Sequence, residues 1–232
     1  MRHAVRHARR LRRDALALGL VPPDERAVSD ALVDIGRAAF GEGAGIVRLA
    51  LRPGPGGDRR ARLAAQTRAI GAEARAWRAI TWPEAHPGAA DAAGAKREGV
   101  AFYGRARDGA QRAGVDDALL ASAEGLLVEG ARTSVFVAVR GALLTPPVAR
   151  GAVAGIAREI VLETVREARE EDVPMVALAG PSEVVLVNAV RGAVRLAWLD
   201  GRPLAAGSEP SWTTRLDDLL RSDPPAPAAP TR

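Results

Sequence analysis

Gly125-Leu-Leu-Val-Glu-Gly-Ala-Arg-Thr-Ser-Val-Phe136 is the stretch that decides the fold. Gly125 marks a turn. Leu126, Leu127 and Val128 read as a short apolar strand that ends on an acid, Glu129. A second strand is expected over 134–139, so the chain turns back within a few residues. A carboxylate at the end of an apolar strand is costly to bury unless a cation meets it. A protonated pyridine nitrogen is one such cation. The plainer alternative, a surface acid at a strand end, stays open on this stretch alone.

Working outward, the next informative residue lies upstream. The chain has 33 lysines and arginines, and Lys96 is the one lysine among them. Such a bias writes arginine wherever a generic positive charge serves. A guanidinium stays protonated and cannot act as a nucleophilic amine, whereas a lysine amine can lose its proton and attack a carbonyl. Lys96 is therefore a candidate for imine chemistry; the alternative is a surface residue that escaped the bias. On the downstream side, Gly155-Ile156-Ala157 opens a helix expected over 155–170. Glycine lets a ligand approach the backbone, and the free N–H groups of a first turn attract an anion. An amine for an aldehyde, an acid for a ring nitrogen and a cradle for a phosphate are together what pyridoxal phosphate needs.

Composition narrows the field. The 232 residues are 47% apolar, enough for one large domain or two smaller ones. No apolar run reaches membrane-spanning length. With no cysteine, a disulfide scaffold, a thiolate metal site and a cysteine nucleophile are excluded, and the chain suits a cytoplasmic protein. Three histidines, His3, His7 and His86, are too few to suggest a histidine-built metal centre. The net charge of +5 invites a nucleic-acid reading, but the excess sits before Asp14, and 3% aromatics argue against a base-stacking platform.

The rest of the chain fits a two-domain α/β protein. Helices are expected over 4–19, with Val5, Ala8, Leu11, Ala15, Leu16 and Leu18 on the apolar side, and over 23–40. A strand is expected over 46–51. Residues 59–79 read as either a helix or poorly patterned strands. Residues 83–95 look like a linker. A helix over 99–113 and strands over 118–121, 126–129, 134–139, 142–144, 175–178 and 183–187 should follow, with a hairpin over 191–203. The expected domains are 1–92, 93–221 and a disordered tail over 222–232.

With these residues in place, the chain resembles the class IV aminotransferases, the fold type IV pyridoxal-phosphate enzymes. Beside the 125–136 stretch, the resemblance rests on Thr145-Pro-Pro147, Gly155-Ile-Ala-Arg158, Asp116-Asp117-Ala-Leu-Leu120 and Glu183-Val-Val-Leu-Val-Asn-Ala-Val-Arg-Gly192. The 33-residue step from Lys96 to Glu129 also agrees, and His7-Ala-Arg-Arg-Leu11 resembles the family's HxxRL helix. The resemblance implies a mixed α/β fold: a small N-terminal domain, and a larger one with a mixed sheet or barrel and a long helix. It implies that Lys96 bonds the cofactor and shuttles protons, and that Glu129 holds the pyridine nitrogen. Arg10 and the amides of Ile156, Ala157 and Ala189 would hold the phosphate. Arg191, beside that loop, is a candidate for a substrate carboxylate. A homodimer acting on a small molecule is also implied.

Departures from the family pattern bear on activity. Family members carry a longer segment before HxxRL, so a late start site or a cut-down small domain is expected. Ala157 stands where a hydroxyl residue is usual, Ser134 where asparagine is, and Ala189 where serine or threonine is frequent. Position 101, five after Lys96, is alanine rather than tyrosine, with Phe102 and Tyr103 next. Within the family, Glu-Gly-x-Arg-Thr-x-Val-Phe and Val187-Asn-Ala-Val-Arg-Gly192 look most like 4-amino-4-deoxychorismate lyase, which eliminates pyruvate to leave p-aminobenzoate. Amino-acid transamination is the alternative, and a degenerate, non-catalytic member is the third.

Overall fold

A computed structural model describes residues 2–60, 62–71, 76–89, 94–180, 183–207 and 211–222. Within these, residues 2–71 form one unit and 76–222 another. The division falls before the Pro- and Gly-rich 83–95 stretch, because the strand over Ala76–Thr81 is paired on both edges inside the second unit's sheet. The expected disordered tail lies outside the described residues, apart from Ser222.

The first unit is a helix pair and a two-stranded ribbon. Helix α1 is Ala4–Ala17 and α2 is Glu25–Phe40. Asp24 caps α2 by accepting from the Ala27 amide at 3.0 Å, and Glu25 adds an acid in the first turn. Strands β1 (Gly45–Arg52) and β2 (Arg62–Ala69) pair antiparallel. The core is small: Ala8, Val28 and Leu32, with Leu11, Val47 and Leu49 against them. The stripe expected on α1 is therefore only partly inward. Val5 and Leu16 are exposed, since at 100° per residue they lie roughly 100° round from the Ala8–Leu11–Ala15 face. The ambiguous 59–79 run resolves into strands, β2 and the start of β3.

The second unit carries a nine-stranded mixed sheet. Its strands are β3 (Ala76–Thr81), β4 (Asp117–Ala121), β5 (Leu127–Gly130), β6 (Ser134–Val139), β7 (Ala142–Thr145), β8 (Ala168–Glu170), β9 (Val184–Asn188), β10 (Gly192–Leu199) and β11 (Arg202–Pro203). The order is β5-β4-β3-β10-β9-β6-β7-β8, with β11 on β10. Pairs β3·β4, β3·β10 and β7·β8 are parallel; the rest are antiparallel. Strand alternation sorts the core. Val135, Val137, Val184 and Leu186 pack with Leu119 and Leu127 on one face. Phe136, Val185 and Val187 face the helices α4 (Ile156–Thr164) and α5 (Trp212–Arg221), meeting Ile156, Ile160, Leu216 and Leu220. Helix α3 (Ala101–Arg112) covers β4 through Phe102, Ala106 and Ala110 against Ala118 and Leu120.

Three expectations need correction. The helix expected over 155–170 is short: α4 has 9 residues, Val165 is extended at φ −95° and ψ 109°, and the chain continues into β8 beside β7. Residues Met175–Ala179 form a 3-10 turn rather than a strand, because the Met175 amide is taken by Gly125 O and the Ala177 amide by Pro174 O. Helix α5 was not expected. Its N-terminus is held from elsewhere: Glu183, 2% exposed, accepts from the amides of Trp212 (2.8 Å) and Thr213 (3.0 Å) and from Thr213 Oγ1 (2.6 Å). Among the described residues no helix is long and apolar enough to cross a membrane.

Candidate active site

Glu129 sits on β5 opposite Leu120 of β4 and is 4% exposed. Each oxygen takes one hydrogen bond. Tyr103 Oη, from α3, donates to Oε1 at 2.5 Å, and the Val153 amide donates to Oε2 at 3.1 Å. Burial raises its pKa to about 7; the Tyr103 and Val153 donors and the charge of Lys96 pull it down, and buried Asp117 pushes it further up. Both donors are neutral, so among the described residues no cation contacts the acid. Asp117 accepts from Thr133 Oγ1 at 2.7 Å and from the Ala118 amide at 2.9 Å. Burial likewise lifts it, to about 6. Gly130 fits between because it has no side chain: a Cβ there would lie 2.3 Å from Thr133 Oγ1 and 2.5 Å from Asp117 Oδ2.

Lys96 lies on an irregular segment leading into α3 and is exposed to solvent. Its ammonium is still close enough to act on Glu129. That segment is anchored just upstream, where the Ala154 amide donates to Gly94 O at 2.9 Å. Gly94 has φ +79°, and a Cβ would strike Val148 Cγ1 at 2.8 Å.

The loop over 151–155 therefore touches both ends of the constellation. Val153 bonds the acid, Ala154 bonds the lysine's segment, and Gly155 then starts α4. Gly155 makes no side-chain cap, so the amides of Ile156 and Ala157 keep the open first-turn position that an anion uses. Arg158, 5% exposed, fixes the helix by donating to Pro146 O at 2.8 Å and pairing with Glu170 of β8. The loop's other wall is His86. Gly151, at φ +107°, would place a Cβ 2.6 Å from His86 Cε1.

The β9–β10 turn stands on the same strands. Ser134 pairs with Val187, and a Gly155 Cβ would lie 3.0 Å from Ser134 Oγ. Asn188 Oδ1 accepts from the amides of Val190 (3.0 Å) and Arg191 (2.8 Å), and its Nδ2 donates to Arg132 O at 3.4 Å. Ala189 and Arg191 are thus carried on a turn tied to the residues just after Glu129. Arg10 belongs to the first unit, on α1, where its Nε lies 3.9 Å from Asp14 one turn on.

Sequence reasoning did not find His86, the Tyr103 contact or the Val153 amide. Tyr103 was noted only as a misplaced tyrosine, and His86 only as one of three histidines. An expected phenol two residues out of place, one half-turn further along α3, was the available signal. Among the described residues no cluster of three histidines, acids or cysteines is placed to hold a metal.

A two-unit chain with a mixed sheet, a buried strand-end acid, an amine beside it and an open helix start defines a class. The chain belongs to the amino-transferase class IV family, whose model matches residues 2–197. A protein of Methanocaldococcus jannaschii, provisionally named a branched-chain-amino-acid aminotransferase, is 32% identical over 97 residues, which are 40% of this chain and 34% of that one. The match thus spans about a third of that relative. Two solved structures show the same fold. One is a branched-chain aminotransferase from Thermoproteus uzoniensis with norvaline: TM-score 0.79, 24% identity, 95% of this chain and 78% of that one. The other, provisionally a 4-amino-4-deoxychorismate lyase from Legionella pneumophila, has TM-score 0.83, 20% identity, and coverage of 96% and 86%.

The family uses pyridoxal phosphate, and the residues present fit that group. The buried carboxylate of Glu129 meets only neutral donors and has lone pairs left for a ring N–H. The α4 start has no side-chain cap, so its amides would be open to a phosphate, and Lys96 would be the amine for the aldehyde.

Proposed function

We propose that this chain is a pyridoxal-phosphate enzyme of the lyase type, eliminating pyruvate from an aminodeoxychorismate-like substrate to leave p-aminobenzoate. The observation that most supports its cofactor part is the 151–155 loop, which joins the acid through Val153, the lysine's segment through Ala154 and the open helix start through Gly155; the lyase part rests on the likeness of Glu129-Gly-Ala-Arg-Thr-Ser-Val-Phe136 and Val187-Asn-Ala-Val-Arg-Gly192 to that branch. When bound, the cofactor would supply an electron sink for charge developing on the substrate.

The chain's residues have separate tasks. Lys96 holds the cofactor's aldehyde carbon and moves protons at Nζ. Glu129 holds the ring nitrogen in its protonated form. The amides of Ile156, Ala157 and Ala189 hold the phosphate. Arg191 orients a substrate carboxylate. Pairing as a homodimer is part of this reading and is checked by light scattering.

Amino-acid transamination is the second reading. It is favoured by the 32% identity to the archaeal relative named a branched-chain-amino-acid aminotransferase. The two use the same residues and differ in product. Purified protein with added pyridoxal phosphate should absorb near the imine band, and Lys96→Arg should not. Borohydride reduction and peptide mapping should put the label on Lys96. Release of p-aminobenzoate supports the lyase; release of a 2-oxo acid from an amino acid supports the transaminase. A protein that stays colourless with the cofactor overturns both.

A further inference from the structure

His86 lies in the stretch that reads as a linker, yet it is 7% exposed. Its ring is packed edge-on against Phe102 and Tyr103, with centroids 5.3 and 5.7 Å away. Its two nitrogens are both used. The Gly88 amide donates to Nδ1 at 3.1 Å, and Nε2 lies 3.0 Å from Tyr103 Oη. The Gly88 amide can only donate, so Nδ1 is the acceptor. In the neutral ring the proton is then on Nε2, which must donate to Tyr103. Burial lowers the pKa of His86, which keeps the ring neutral near pH 7. With one lone pair of Oη taken by His86, the Tyr103 hydroxyl turns its hydrogen to Glu129 Oε1.

Three donors therefore point one way, from Gly88 N–H through His86 and Tyr103 to Glu129. We propose that His86 and Tyr103 are positioning residues that keep Glu129 an acceptor for a protonated ring nitrogen. The assignment rests on the cofactor reading above. No proton moves along the line. The histidine's tautomer selects the hydroxyl's direction, and that hydroxyl's hydrogen bond favours the carboxylate over the acid. The charges around the pair come from every side. Lys96 and Asp117 act on Glu129 with opposite signs, and Arg97 acts on Tyr103. Tyr103 is held un-ionised far above its usual range, first by burial and then by Glu129.

The test exploits the composition: Tyr103 is the sole tyrosine. Alkaline titration of tyrosinate absorbance in the cofactor-free chain reads it alone. It should ionise well above pH 10, and Glu129→Gln should lower the midpoint. Carboxyl-carbon NMR of Glu129 supplies the second readout. Tyr103→Phe removes the donor and should move the Glu129 midpoint upward by roughly one pH unit. His86→Leu should move it the same way by less. His86→Gln should restore it, since a glutamine amide can accept from Gly88 and donate to Tyr103; this variant also serves if His86→Leu does not fold. A Glu129 midpoint unmoved in Tyr103→Phe, or Tyr103 ionising near pH 10 in wild type, overturns the relay. If the titrations come out as expected but the protein never takes up pyridoxal phosphate, the relay stands as wiring and its purpose is overturned.

Discussion

Replacing Glu129 with glutamine should flatten one limb of the stability–pH curve of the second unit. Burial lifts this acid from near 4.5 to about 7 in the fold. Between those values the unfolded chain is ionised while the folded chain still holds the proton. Folding then takes up a proton, so stability falls as pH rises through the window and levels off above about 7. Asp117 acts with the same sign, but its window closes near 6. His86, lowered by burial, acts with the opposite sign and its effect ends at 6.5. The cleanest interval is therefore pH 6 to 7, where Glu129 contributes a fall of about 1 kcal/mol. In Glu129→Gln that fall should vanish, leaving the His86 limb and the tail of Asp117. Glutamine leaves one of the two donors poorly matched, which lowers stability by a constant amount at every pH. The assay is urea unfolding of cofactor-free protein followed by tryptophan fluorescence. Trp77, Trp82, Trp198 and Trp212 all lie in the second unit, so the signal reports that unit alone. Curves for variant and wild type that run parallel from pH 4.5 to 7 would refute the assignment of a raised, buried carboxylate to Glu129.

Other expectations follow from the packing. Glu183→Ala removes three hydrogen bonds at the α5 start and should cost roughly 2–4 kcal/mol, read in the same unfolding assay. Gly94→Ala, at φ +79° against Val148, should displace the lysine's segment; bound-cofactor absorbance should fall while far-ultraviolet circular dichroism holds. Gly192→Ala meets both φ +74° and Asp217 Oδ1 at 2.2 Å, and should lower the unfolding midpoint by an amount equivalent to about 1–3 kcal/mol.

What could be read from the chain was whatever is local. The strands β4 to β7 announce themselves by short apolar runs punctuated by Gly125 and Gly141, and Asp24 announces α2. The step from Lys96 to Glu129 is a spacing, and spacing survives in a sequence. The parts that stayed hidden depend on distant partners. The start of α5 has a local cap, Ser211 accepting from the Thr214 amide at 3.2 Å, but it is also held by Glu183, 29 residues before Trp212, and that contact shows in neither stretch. Helix α4 stops because β8 finds an edge on β7, which no periodicity of 155–170 encodes. The 59–79 run is Ala- and Arg-rich on either hypothesis, and only pairing of β1 with β2 and of β3 with β4 and β10 decides it. His86 and Tyr103 are 17 residues apart, and Tyr103 and Glu129 are 26 apart; no pattern of either stretch foretells their contact.

The departures from the family pattern weigh less against activity once the site is divided into side chains and backbone. Ala157 and Ala189 each lack the hydroxyl that the family resemblance leads one to expect, and each such hydrogen bond is worth about 1 kcal/mol. The contacts to the acid and to the lysine's segment come from the Val153 and Ala154 amides, and the anion position comes from the α4 first turn. Those donors depend on the path of the loop, not on the side chains at 157 or 189. The path in turn is held by residues that have little freedom to change. Gly151 is wedged on His86, Gly94 is wedged on Val148, and Arg158 is buried against Pro146. Together they fix the Val153 and Ala154 amides around one buried acid whatever side chains stand at 157 and 189.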